Sequence, residues 1–532
     1  MKKIIYIFIT IFALVFSACT DNFEEINTNP YQISQESLKQ DFNYVGAYFQ
    51  PMFSNIFGNQ VNHNLVNESF VRHLATPTPF VGGVNNTTYY IRWNGYWNRI
   101  YNNIFAPGRQ VIQIAENDKF DGYEVFIAWA DLIRIIGATR LSAYHGPIIY
   151  SDYGSTSTEI MYDSEATLYN TWFSELDDIL AVFKANTSYA GLKKFDATYN
   201  GKIDQWIKFT NSMRLRLAMR ISKVAPDLAK AQGEKAIADD GGLILANADN
   251  MMVSLYGAYF HPAQICFSWN DTRMSATMES VLIGYKDGRI AKYFDPVADA
   301  SLVTDHPDYP YKGIRNGAYL VAKDDHTSYS TISSDFKDAT DRRLFTACET
   351  HFLLAEAALR EWEGAGNAQD HYEEGVRASF SEWSAGGVDT YLQDDTSVPI
   401  DYNDVVYDGI EDGAVNDFQT RMSITIKWDE TADNETKLER IMTQKWIAGY
   451  MNTVETWVDH RRTDYPKLPF NYQNDSNSDW GVIAADDFLR RMPFIQGERD
   501  NNPTGVADAT SKLGGPDEIG TRLWWDTGGS NF

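Results

Sequence analysis

The chain has 532 residues, enough for one large core or two closely joined ones. Its formal net charge of -26 excludes a nucleic-acid binder, whose phosphates it would repel, and excludes docking of its own surface on anionic lipid head groups. With 14 Trp and 31 Tyr, most rings are expected in a core and some in a binding surface.

Lys2 and Lys3 precede an apolar run over residues 4–16, interrupted only by Thr10, and Ser17, Ala18 and Cys19 follow. A basic start, a short apolar stretch and small residues describe a secretory signal, too short to span a membrane as a helix. The ending resembles a bacterial lipobox, with Phe16 where Leu is usual. Residues 1–18 are therefore expected to be a removed signal peptide, and Cys19 the lipidated first residue. Residues 19–35, with Asp21, Glu24 and Glu25 and then Asn27–Pro30, read as a polar tether. No later apolar run approaches spanning length, so the lipid is the expected membrane attachment.

From residue 36 onward the pattern is helical. Asp163 or Ser164 caps a helix to Phe183 whose face carries Leu168, Trp172, Leu176, Ile179 and Leu180. Asp204–Ser222 repeats the pattern with Trp206, Phe209, Met213 and Leu217, and Thr350–Trp362 with His371–Trp383 form a further pair. Near the C-terminal end, Leu438, Ile441, Met442, Trp446, Tyr450, Val454 and Val458 predict one apolar helical face across Glu439–Pro466. Glu455, Asp459, Arg461 and Arg462 set into that face predict a buried, paired charge network, because unpaired charges there cost too much. Between the helices lie long segments rich in Gly, Asn, Asp and Tyr, at 76–94, 247–273, 295–341 and 391–417. Loops of this length tend to carry function, and their aromatic content argues against disorder.

Chemistry is sparse. Metalloprotease, nucleophile-elbow, Walker and dinucleotide patterns are missing, and the nine histidines include no i,i+4 pair, so neither metal nor cofactor is expected. The acid doublets Asp239–Asp240, Asp324–Asp325 and Asp486–Asp487 are expected on solvated surface, since sequence neighbours point apart. Asp475, Asn477, Asp479 and Asp486 mimic a calcium loop, but Trp480 stands where its turn requires Gly. Cys266 and Cys348 either pair in an oxidising compartment or remain two buried thiols.

QKWIAGYMNTVETWVDHRRTDYP, with Gln444, Lys445, Trp446, Glu455, Trp457, Arg461, Arg462, Thr463 and Pro466, resembles the signature helix of the SusD/RagB family. YHGPIIYSDYG at Tyr144–Gly154, the Trp206–Arg220 stretch, GYKDGRIAKYF at Gly284–Phe294, RRMPF at Arg490–Phe494 with Glu498, and LWWD at Leu523–Asp526 resemble further family segments in the expected order. His145 is atypical, and Gly288 stands where the family usually has Pro. The resemblance implies an all-α, tetratricopeptide-like scaffold of helical hairpins over residues 36–532 with loop-rich insertions. It also implies a lipoprotein facing the cell exterior, without catalysis, that binds a nutrient for a SusC-like TonB-dependent outer-membrane transporter. The acidic residues behind Cys19 resemble the export signal of such lipoproteins.

For a sugar, flat rings must stack on pyranose faces with amides, carboxylates or guanidinium beside them. Trp93 and Asn94, the group Trp269, Asn270, Asp271 and Arg273, and the pair Tyr309 and Tyr311 meet that requirement in sequence. Trp97 and Tyr101, four apart, are expected in the core. A peptide ligand on the same scaffold and a secreted glycan hydrolase are the alternatives.

Overall fold

Helix formation follows the apolar spacing closely. A computed structural model describes residues 39–58, 62–80, 86–92, 94, 96–254, 261–406 and 415–532. The expected signal peptide, Cys19 and Trp93 lie outside them. A short first unit ends at Ala47 and holds the turns Gln40–Phe42 and Asn43–Gly46. The second unit starts at Tyr48 and contains everything that follows.

Its longer helices, with two short ones that frame the loops, are α1 (Phe49–Ile56), α2 (Ala106–Asp118), α3 (Tyr123–His145), α4 (Glu165–Ala185), α5 (Ile203–Arg220) and α6 (Pro226–Ala238). After them come α7 (Gln264–Trp269), α8 (Ala276–Gly284), α9 (Ala347–Leu359), α10 (Ala368–Glu382), α11 (Asn434–Ala448), α12 (Thr453–Thr463) and α13 (Pro503–Lys512). Ser164 is the cap of α4, its hydroxyl accepting from the Thr167 amide at 3.2 Å. Neighbours in sequence pack as neighbours in space: α3 on α2 and α4, α5 on α4 and α6, α9 on α10. This is the expected all-α stack of helical hairpins. Among the described residues strands form only two short antiparallel pairs, Leu74–Ala75 with Arg273–Met274 and Met251–Ser254 with Asp341–Phe345. Each ties one inserted loop to another.

The expected single helix over Glu439–Pro466 is two. α11 stops at Ala448 and α12 starts at Thr453, with Met451 between them at φ 65°. The apolar spacing runs on through the gap because Tyr450 and Met451 are buried there too. Trp446 donates to the Val71 carbonyl at 2.7 Å, and Arg461 stacks on Trp457 at 3.5 Å. Trp97 and Tyr101 are core residues, with rings 5.2 Å apart. Cys266 and Cys348 are free, buried thiols, and burial pushes them up to about 12 and about 11.

The charge network reaches well beyond α12. Arg216 of α5 forms a fork on Glu349 of α9 at 2.6 and 2.7 Å, and Arg220 reaches Glu455 of α12 at 2.5 Å. Arg462 grips both oxygens of Glu356 at 2.6 Å, with Arg360 on the same carboxylate at 2.8 Å. Lys445 of α11 pairs with Asp459 of α12 at 2.8 Å. These guanidiniums outweigh the burial that opposes them and hold Glu455 and Glu356 at about 2. Asp240 lies on solvated surface as expected and Asp239 is half-buried, with the surface Lys184 bridging the two at 2.5 and 2.8 Å.

The two departures from the family pattern have local causes. His145 is fully buried, its Nδ1 facing the Met492 and Pro493 carbonyls at 3.0 and 3.1 Å, and burial pushes it down to about 3, so it is neutral. A Cβ at Gly288 would stand 2.7 Å from the Gly386 carbonyl, which leaves room only for glycine.

Two outcomes follow from the buried acids. Glu455→Ala leaves Arg220 buried without its carboxylate and lowers unfolding free energy by about 3–5 kcal/mol in a denaturant titration. Glu455 and Glu356, held below 4.5, stabilise the fold above pH 4.5 and lose that contribution as pH falls toward 2. Glu68, Glu165 and Glu175, raised to about 7 chiefly by burial, stabilise it fully below pH 4.5 and lose that as pH rises through 7. His73 and His145, pushed down to about 3 by burial, lose stability as pH falls below 6.5 and so oppose the three raised acids between pH 4.5 and 6.5. The marked change is therefore expected below pH 4.5, where melting temperature falls toward pH 2, and a level curve there contradicts these protonation states.

Candidate functional site

Four inserted segments meet on one hydrogen-bonded assembly. α7 lasts six residues and ends because Asn270 turns left-handed, at φ 49° and ψ 40°, a conformation Asn tolerates. That turn leaves Trp269 61% exposed, the most open aromatic ring among the described residues. Lys323 donates to the Trp269 carbonyl at 2.6 Å, satisfying a helix-end acceptor with a cation. Beneath it Arg273 is fully buried, donating to Asn270 Oδ1, the Thr327 carbonyl and the Thr272 carbonyl, each at 2.8 Å. Burial pushes this guanidinium down to about 10.

The second support is Asp404. One carboxylate accepts from Tyr329 at 2.6 Å and from Asn416 at 2.7 Å, and faces His326 Nε2 at 3.2 Å. Asn416 in turn brackets Tyr319, accepting from its amide at 2.8 Å and donating to its carbonyl at 3.1 Å. Tyr319 is 44% exposed. Thus the ring on α7 is held by Lys323 and Arg273, and the ring on the 315–322 loop by Asn416 with Asp404 behind it.

Beside Tyr319 lies a polar cleft lined by Thr76, Thr88, Arg315, Asn316 and Gln473. Gln473 donates its amide to the Gly317 carbonyl at 2.7 Å, and Asp475 does so to Thr88 at 2.7 Å, which closes the cleft from the C-terminal side. Arg315 sits between the Phe418 and Tyr472 rings at 5.7 and 5.8 Å and donates to the Asp417 and Phe470 carbonyls at 2.6 and 2.9 Å. The cleft holds about 10 Å³, space for a single water, and Thr76, Thr88 and Asn316 are buried in it, so a polyhydroxylated ligand meets only its outer edge beside the exposed rings.

The residues named from sequence divide by burial. Trp269 and Asn270 are exposed. Asp271 and Arg273 are buried and support that corner from behind. Tyr311 is buried in the core and Tyr309 packs half-buried against it, so the pair is no open platform; the Tyr311 amide donates to the Tyr309 carbonyl at 2.7 Å. Asn94 is half-buried and donates to the Pro493 carbonyl at 2.7 Å. Tyr319, Tyr472 and Arg315 went unnamed. The only sequence signal for Tyr319 and Arg315 was their place inside the 295–341 segment, while Tyr472 lies outside the segments singled out. Among the described residues no group of three or more His, Cys, Asp or Glu could hold a metal ion.

The fold and its site define a helical-hairpin binding protein whose recognition surface is built on loops. Residues 25–526 match the family described as SusD-like, SusD and RagB outer membrane lipoprotein, and the chain belongs to that family. It is similar to a chitin-binding SusD homologue from Flavobacterium johnsoniae, at 38% identity and TM-score 0.85, over 92% of this chain and 100% of that one. A SusD homologue from Bacteroides vulgatus is 33% identical with TM-score 0.83, covering 92% and 99%. A SusD-like protein from Bacteroides thetaiotaomicron is 31% identical with TM-score 0.81, covering 91% and 99%. No curated protein gives a significant match. The scaffold is the tetratricopeptide-like helical fold of these structures, the family's proteins are non-catalytic, and they are outer-membrane lipoproteins. Among the described residues no helix is long and apolar enough to cross a membrane. Membership implies surface glycan binding paired with a SusC transporter.

Asp404→Ala removes the common acceptor of three groups, at a cost of about 1–3 kcal/mol to local order. Amide exchange over residues 316–329 is expected to accelerate while exchange in α5 and α9 stays unchanged. Uniform acceleration would make Asp404 a general stability residue.

Proposed function

We propose that the protein captures an oligo- or polysaccharide on the surface formed by Trp269, Asn270, Tyr319 and the Arg315 cleft, and delivers it to a SusC-like TonB-dependent outer-membrane transporter. The observation that carries this reading is Trp269, a large ring left 61% open yet fixed at its carbonyl by Lys323 and from beneath by Arg273. A rigidly held, exposed ring offers a flat apolar face on which a ligand can stack. Pyranose faces are such partners, and the adjacent hydroxyls and amides match their rims. Chito-oligosaccharides are the first ligands to test, since the Flavobacterium johnsoniae relative is described as chitin-binding. In this reading Cys19 carries the lipid, residues 19–35 form the tether, and the body of the chain faces the cell exterior. Trp93 and Asn94 are proposed as further sugar contacts.

Binding is reversible and needs no bond chemistry: ring stacking and hydrogen bonds hold the sugar, and release accompanies its transfer. Titration with chito-oligosaccharides is expected to quench Trp fluorescence. Trp269→Ala should weaken affinity by about tenfold, equivalent to about 1.4 kcal/mol, with melting temperature unchanged because the side chain is exposed. Undiminished affinity in this variant removes Trp269 from the site. For delivery, full-length lipoprotein drawn from mild-detergent membrane extract should bring a large barrel with it, and recovery of the lone protein under conditions that preserve other membrane complexes contradicts the pairing.

A further inference from the structure

A second surface lies between α3 and α4. Glu124, Ile127, Ala128 and Asp131 recur at helical spacing on α3, and Glu175, Asp178, Ile179 and Val182 do so on α4. Together they line a groove of about 260 Å³, with Ile127, Ala128, Ile179 and Val182 as an apolar floor and four carboxylates as a rim. Internal partners satisfy only one end: Arg134 pairs with Asp131 at 2.5 Å, and the Tyr150 hydroxyl donates to Glu175 at 2.5 Å. Glu124 and Asp178 are exposed and have no cationic partner among the described residues.

We propose that this groove docks a basic amphipathic helix of another protein, apolar side chains on the floor and Lys or Arg heads against the rim. The volume is below the roughly 300–1,000 Å³ of small-molecule sites, but it suits a few side chains of a docked segment. Two adjacent helices present ridges and a groove that receive a third helix. The rim selects sign: carboxylates around an apolar floor repel an acidic or neutral polar segment and attract a cationic one. A net charge of -26 also disfavours a second copy of this chain as occupant. Glu175 is pushed up to about 7 by burial and by the neighbouring acids Asp131 and Asp178, a cost an incoming cation relieves. Nothing in this surface takes part in the sugar reading, so either can fail alone.

The test uses the full mature chain and a synthetic helical peptide patterned with Leu and Lys on opposite faces, against a Gly/Lys peptide of equal charge. Binding is read by fluorescence anisotropy and by hydrogen exchange. The Leu/Lys peptide is expected to bind at least about tenfold more tightly than the Gly/Lys peptide and to protect residues 124–131 and 175–182. The double variant Glu124→Lys with Asp178→Lys, both exposed, should weaken it by about tenfold or more, and Val182→Glu should do the same through the floor. Equal binding of the two peptides, protection elsewhere, or full affinity in either variant overturns the proposal by reducing it to diffuse attraction. Self-association that the rim variants abolish overturns it in favour of a second copy.

Discussion

Burying several guanidiniums and carboxylates in a helical core is costly unless each finds its partner, and this constraint organises the molecule. Arg216 and Arg220 on α5, Glu349 and Glu356 on α9, and Glu455, Asp459 and Arg462 on α12 satisfy one another only if the three helices hold one relative position. A hydrophobic interface tolerates small slips between helices, whereas a fork of two 2.6 Å bonds does not. Two of the family-like segments, Trp206–Arg220 and the one ending at Pro466, carry most of this network, and none falls on the recognition surface. They specify the frame, and the loops between them are free to differ.

The recognition surface repeats the same logic at smaller scale. Arg273 and Asp404 are buried groups with several partners each, and they fix loops that have little apolar packing of their own. Exposed rings then stand on a rigid base, so little conformational entropy is lost when a ligand covers them.

Much of the frame is legible in the sequence. Helical spacing located α4, α5, α9 and α10, and Ser164 announced the start of α4. The gap between α11 and α12 was not legible, because Tyr450 and Met451 keep the apolar count while the backbone leaves the helix. The site was legible only in part. Tyr311 and Tyr319 sit eight positions apart in one aromatic, glycine-containing loop, yet one is buried and the other exposed. What separates them is a bond from Asn416, about a hundred residues away, and no local pattern encodes that. Trp269 was identifiable as a ring beside polar neighbours, but its exposure depends on the left-handed Asn270 after it.

The distribution of partners along the chain also governs when the fold can close. His145 near the first third of the sequence waits for the carbonyls of Met492 and Pro493, and Glu165 waits for the Trp524 amide. Arg360 and Lys223 find acceptors on Asn531. Loops hundreds of residues long must therefore be closed before these groups are satisfied, which makes assembly slow compared with a bundle of local hairpins. Until residues 490–531 are in place, His145 and Glu165 lack these partners and the apolar faces beside them stay open, a state that favours aggregation.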